Sequence, residues 1–147
     1  MTIKQIVRKL IKKYDTRDLY RLADMLDVDI QFREMNPLTK GMFLHHIRFK
    51  RIIINSLLDE QTTSIVLAHE LGHAVLHSKN VFYFIKEKSL FPTGRYEREA
   101  NKFAAELLIS DDHEEFFKEY GYIRVAECLG VPVELAEYKF VKQEHLC

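Results

Sequence analysis

Leu67-Ala68-His69-Glu70-Leu71-Gly72-His73-Ala74-Val75-Leu76-His77 is the stretch on which the reading of this chain turns. At ~3.6 residues per helical turn, His69 and His73 stand one above the other, so two imidazoles can address one metal ion. Glu70 is turned away from direct coordination but can reach a water at that ion. Ile65, Val66, Leu67, Ala68, Leu71, Ala74, Val75 and Leu76 make the segment apolar nearly all round, which predicts a buried helix. Histidine and glutamate in such surroundings need compensation, and a divalent cation supplies it. The His-Glu-x-x-His spacing therefore points to a single Zn²⁺ site with Glu70 as general base, the arrangement of a metallopeptidase.

A zinc centre of this kind needs a third protein ligand and an open position. The segment from Arg95 to Leu108 reads as a helix with Glu97, Ala100, Asn101, Ala104 and Leu108 along one stripe. Glu99 and Glu106, with Lys102 between them, fall on the opposite side and read as a solvated face. Glu97 is thus the third-ligand candidate, and Asn101, one turn on, is placed to hydrogen-bond a liganding histidine. His77 continues the row of His69 and His73, but on a straight helix it lies ~12 Å from His69 along the axis, beyond one coordination sphere. It reads as a helix-end residue interacting with the helix C-terminus or with solvent.

With these residues in place, the chain resembles the ImmA/IrrE family of zinc metallopeptidase-like regulators. The resemblance rests on the Ala68–His77 run, the Glu-x-x-Ala-Asn-x-Phe-Ala-Ala-x-Leu-Leu run from Glu97, and the hairpin between Gly41 and Asn55, across roughly residues 16 to 110. It implies an α+β, zincin-like fold with His69, His73 and Glu97 as ligands and Glu70 as the catalytic residue. The implied activity is zinc-dependent, site-specific cleavage of a helix-turn-helix repressor of a prophage or mobile element. A non-proteolytic regulator that binds a repressor or DNA through the same fold is the alternative, and a toxin-antitoxin component a further one. Ser110-Asp111-Asp112 stands where the family often has proline, which bears on the turn after Ile109. For the oxyanion, Tyr83, Tyr96, His45 and His46 are candidates.

Composition agrees with one unit over residues 1–147: N-terminal helices to residue 27, the sheet and metal helices over 28–110, and a C-terminal helical part over 111–147. The 147 residues are 47% apolar, ample for a core. Twenty-two basic and twenty-two acidic side chains leave no net charge, unlike a non-specific nucleic-acid binder. Arg48, Lys50 and Arg51 read as a solvated hairpin turn. Cys128 and Cys147 suggest no disulfide framework. The N-terminal segment is amphipathic and charged throughout, so neither a signal peptide nor a membrane span is expected; the implied setting is the cytoplasm.

Local patterns complete the expectation. Residues 1–14 form a helix, and Asp15 or Thr16 caps a second through Leu19, Leu22, Ala23 and Leu26. Val28, Ile30 and Phe32 alternate as a strand, followed by strands at Met42–His46 and Arg51–Asn55, together a small antiparallel sheet. His45 and His46, adjacent on a strand, point to opposite faces and cannot jointly chelate one ion. Met42, Phe43 and Leu44 are expected to form an exposed edge that holds substrate backbone by strand addition. Gly72 predicts close approach of another backbone, and residues 79–94 an aromatic, packed linker. Helices follow at 114–120, at 123–129 and from Pro132. The last two have the shape of a helix-turn-helix. Glu134 and Glu137 on its second helix favour a structural or partner-docking role over DNA recognition.

Overall fold

A computed structural model describes residues 1–77 and 90–142, together with the backbone of 83–87. Helix α1 (Ile3–Tyr14) opens with a reciprocal cap between Thr2 and Gln5, and buries Ile3 and Val7. Asp15 ends it in the left-handed conformation, so it does not cap the next helix as expected. Asp18 does, accepting from the backbone N–H groups of Tyr20 and Arg21 at the start of α2 (Leu19–Met25).

Strands β1 (Val28–Arg33), β2 (Gly41–His46), β3 (Phe49–Asn55) and β4 (Tyr83–Glu87) form a sheet of order β1-β3-β2-β4. The expected antiparallel arrangement holds for β2 with β3 and with β4, but β1 runs parallel to β3. The loop from 34 to 40 carries the chain past the β3 position, and the β2–β3 hairpin then folds back into the gap. Buried Asn55 fixes that crossover: its Nδ2 donates to the carbonyls of Asn36 and Thr39, and its Oδ1 accepts from the N–H of Leu57.

This order corrects the role expected of Met42, Phe43 and Leu44. Their strand has a neighbour on each side, so its backbone is already engaged, and the Phe43 side chain is fully buried. Among the described residues the edges are β1 and β4. Strand β4 itself lies in what read as linker; the parts of that expectation at 79–82 and 88–89 lie outside the described residues.

Helix α3 (Glu60–Leu76) starts at Asp59, whose carboxylate accepts from Thr62 N–H, and buries every residue from Ile65 to Ala74. It lies between the sheet and helix α4 (Arg95–Leu108). A Cβ on Gly72 would meet Phe103 Cβ at 3.1 Å and Ala100 Cα at 3.2 Å, so the missing side chain is what lets α3 and α4 touch. Beyond α4, Ser110 caps a short 3₁₀ turn, followed by α5 (Glu114–Tyr120), α6 (Tyr122–Leu129) and α7 (Val133–Phe140). Gly130 takes the left-handed conformation that ends α6. Helix α7 packs Leu135, Ala136 and Tyr138 in a second apolar cluster with Ala105 of α4 and Ile109 just beyond it. Among the described residues no helix is long and apolar enough to cross a membrane.

Candidate metal centre

Because α3 and α4 touch at Gly72, side chains beside that contact on the two helices face each other. His69 and His73 come from α3, Glu97 from the first turn of α4, and their ligand atoms all lie within 4.8 Å of one another. Nε2 of His73 is 2.8 Å from Glu97 Oε1 and 3.1 Å from His69 Nε2, and His69 Nε2 is 3.2 Å from Glu97 Oε2. Four ligands at ~2.1 Å around zinc would be separated by ~3.4 Å, so these spacings approach those of a tetrahedral shell. The donor set, two imidazoles and one carboxylate, is also that of a catalytic zinc site with an open position.

Each imidazole is oriented from behind. Asn101 Oδ1 lies 2.7 Å from His69 Nδ1, and Asn101 is held in turn as its Nδ2 donates to Pro92 O at 2.9 Å and to Tyr138 Oη at 3.1 Å. On the other ring, His73 Nδ1 lies 2.9 Å from His77 Nδ1, while His77 Nε2 lies 3.3 Å from Glu99 Oε1. In both histidines Nδ1 is committed to a neighbour and Nε2 points at Glu97. An Nδ1 proton leaves the Nε2 lone pair for a metal, so both rings fit the required tautomer.

Two expectations are corrected here. His77 does end α3 as its C-cap, but its side chain does not face solvent: it is 5% exposed and sits between His73, Glu99 and the Tyr96 ring. Burial, and then the neighbouring His73, hold its imidazole below the ordinary value of 6.5 against the pull of Glu99. Glu106, expected on a solvated face, is 2% exposed and ion-paired with Lys139 at 2.5 Å and Lys102 at 3.2 Å. Helix α7 covers that side of α4, which the periodicity of α4 alone does not reveal.

Glu70 is fully buried beside His69. Glu97, with 16% of its side chain exposed, marks the side from which the cluster meets solvent. Tyr96 is half exposed and stacks on His77 at 4.6 Å between ring centroids. The backbone of Tyr83 pairs with His45 across the β2–β4 ladder. Tyr138, which buttresses Asn101 from α7, carries no sequence signal of that role, because the contact joins residues 37 apart.

Comparison with known proteins agrees with this geometry. Residues 23–141 match the peptidase M78 family, described as an IrrE N-terminal-like domain. The chain is 40% identical over 139 residues to uncharacterized immunity region protein 2 of Bacillus phage phi105, covering 93% of this chain and 88% of that protein. It is 25% identical over 141 residues to metallopeptidase ImmA of Bacillus subtilis strain 168, covering 93% and 83% respectively.

Proposed function

The chain belongs to the IrrE N-terminal-like peptidase family, and from that premise we propose that it is a zinc-dependent endopeptidase acting on a helix-turn-helix repressor. The observation that carries the reading is the meeting of His69 Nε2, His73 Nε2 and the Glu97 carboxylate across the α3–α4 contact, with Glu70 adjacent. A zinc ion bound there would supply Lewis acidity towards water and the scissile carbonyl. His69, His73 and Glu97 would hold it, with Asn101 keeping the His69 ring in its ligating orientation.

Glu70 acts as the proton shuttle. Its carboxylate accepts a proton as water adds to the peptide carbonyl carbon, then delivers that proton to the amide nitrogen as the C–N bond breaks. The relatives support a regulatory substrate: one is named for a phage immunity region and another is named a metallopeptidase. The place of action is then the cytoplasm, and the expected partner is a repressor encoded near this gene. Glu134 and Glu137 on α7, with Lys139 buried under that helix, support contact with protein rather than DNA.

The test is incubation of the zinc-loaded protein with such a repressor, followed by mass analysis of the fragments. One discrete cut is expected, slowed by about 10²-fold or more in a folded, zinc-loaded Glu70→Gln variant. Cleavage at the wild-type rate by that variant would refute the role of Glu70, and full biological activity without any cut would favour a binding regulator.

A further inference from the structure

We propose that His77 and Glu99 form a positioning relay that sets the tautomer and plane of His73, an inference that rests on reading His73 as a metal ligand. The His73 ring divides the cluster: Nε2 faces His69 and Glu97, whereas Nδ1 faces His77. His77 therefore lies on the far side of the ring from the ligand atoms and cannot join the same coordination sphere. What it offers His73 is a hydrogen-bond acceptor.

The protons can be followed along the chain of contacts. A ligating Nε2 leaves the His73 proton on Nδ1, which donates to His77 Nδ1 at 2.9 Å. With its Nδ1 acting as acceptor, His77 carries its own proton on Nε2 and donates to Glu99 Oε1 at 3.3 Å. Glu99 thus fixes the His77 tautomer, and His77 fixes that of His73. The Tyr96 ring, inclined 30° to the imidazole, holds the plane of His77. His69 obtains the same support from Asn101, so the two ligands are held by different chemistry: a rigid amide for one, an imidazole–carboxylate pair for the other.

The experiment measures Zn²⁺ affinity of the full chain by competition with a chromophoric chelator, with thermal melting of the metal-free forms as a fold control. His77→Leu removes the acceptor and should weaken Zn²⁺ binding by about 10–100-fold. His77→Asn, whose Oδ1 can take the place of Nδ1 as acceptor, should stay within about threefold of wild type. Glu99→Leu leaves the His77 tautomer unset and should weaken binding by roughly several-fold. The relay is overturned if His77→Leu binds as wild type does, or if His77→Asn loses as much as His77→Leu, since ring packing alone would then explain the site. Should His77→Leu fail to fold, Glu99→Leu decides: wild-type affinity there contradicts the relay. A wild-type chain that binds no Zn²⁺ removes the metal reading itself, a result distinct from equal affinities among folded variants.

Discussion

Helix α4 carries two buried clusters of charged and polar groups, and they are built on opposite electrostatic logic. Near its start, Glu97 faces the Nε2 atoms of two histidines whose Nδ1 atoms are already engaged. Near its end, Glu106 faces the ammonium groups of Lys139 and Lys102, and Lys139 also pairs with Asp111. The second cluster places cations against carboxylates and so compensates its own charge. The first gathers electron-pair donors, an arrangement that a divalent cation stabilises. Burial of a carboxylate therefore does not identify a functional site; the chemistry of the groups gathered around it does.

Breaking the self-compensating cluster should cost the most stability. Lys139→Ala leaves Glu106 with Lys102 alone and should destabilise the fold by about 3 kcal/mol, at the lower end for a broken buried pair. Denaturant titration measures the loss. Adding Glu106→Leu to Lys139→Met should recover most of it, while Zn²⁺ binding by the folded protein changes little. If Lys139→Ala instead abolished Zn²⁺ binding in protein that remained folded, the two clusters would not be independent.

The contact between the helices comes next. Gly72→Ala gains helix propensity, yet places its Cβ 3.2 Å from the Ala100 backbone, which cannot move without shifting Glu97 and Asn101. A net loss of about 1–2 kcal/mol is expected, with weaker Zn²⁺ binding, because the clash outweighs the propensity gain. A more stable variant of unchanged affinity would show that α3 and α4 can separate without disturbing the site.

The smallest effect is the response of Asp111 to acid. Burial pushes its carboxyl up, but hydrogen bonds from Lys139 and Arg8 outweigh this and hold it well below the ordinary value of 3.8. The stabilisation is therefore present above about pH 4 and declines as pH falls towards the lowered folded value. The difference in melting temperature between wild type and Asp111→Asn should be constant above that point and narrow below it. A gap that widened on acidification would reverse the assignment.

These experiments also separate what local pattern reveals from what pairing decides. That His69, His73, Glu97 and Asn101 come together was legible because helical periodicity sets which residues share a face, and α3 and α4 run as their patterns predict. The partners of that face were not. Glu106 reads as solvated until α7 covers it, and the His77 side chain reads as facing solvent until Glu99, on another helix, is found 3.3 Å from its Nε2. The sheet shows the same limit. The alternation in Val28–Phe32 identifies a strand, but only the crossover held by Asn55 makes β1 parallel to β3 and takes Met42–Leu44 away from the edge. Residue 110 is a related case: without the family's proline the chain still turns, because the Ser110 hydroxyl accepts from Asp112 N–H and Asp111 ties the turn to α1 and α7.

The most direct test of the metal centre is the zinc content of the purified chain beside that of Glu97→Ala, measured by elemental analysis against protein concentration. The account predicts about one zinc per wild-type chain and less than about a tenth of that in a variant that keeps its fold. Absence of zinc from the wild type, or equal content in both proteins, would contradict the reading of His69, His73 and Glu97 as a metal site.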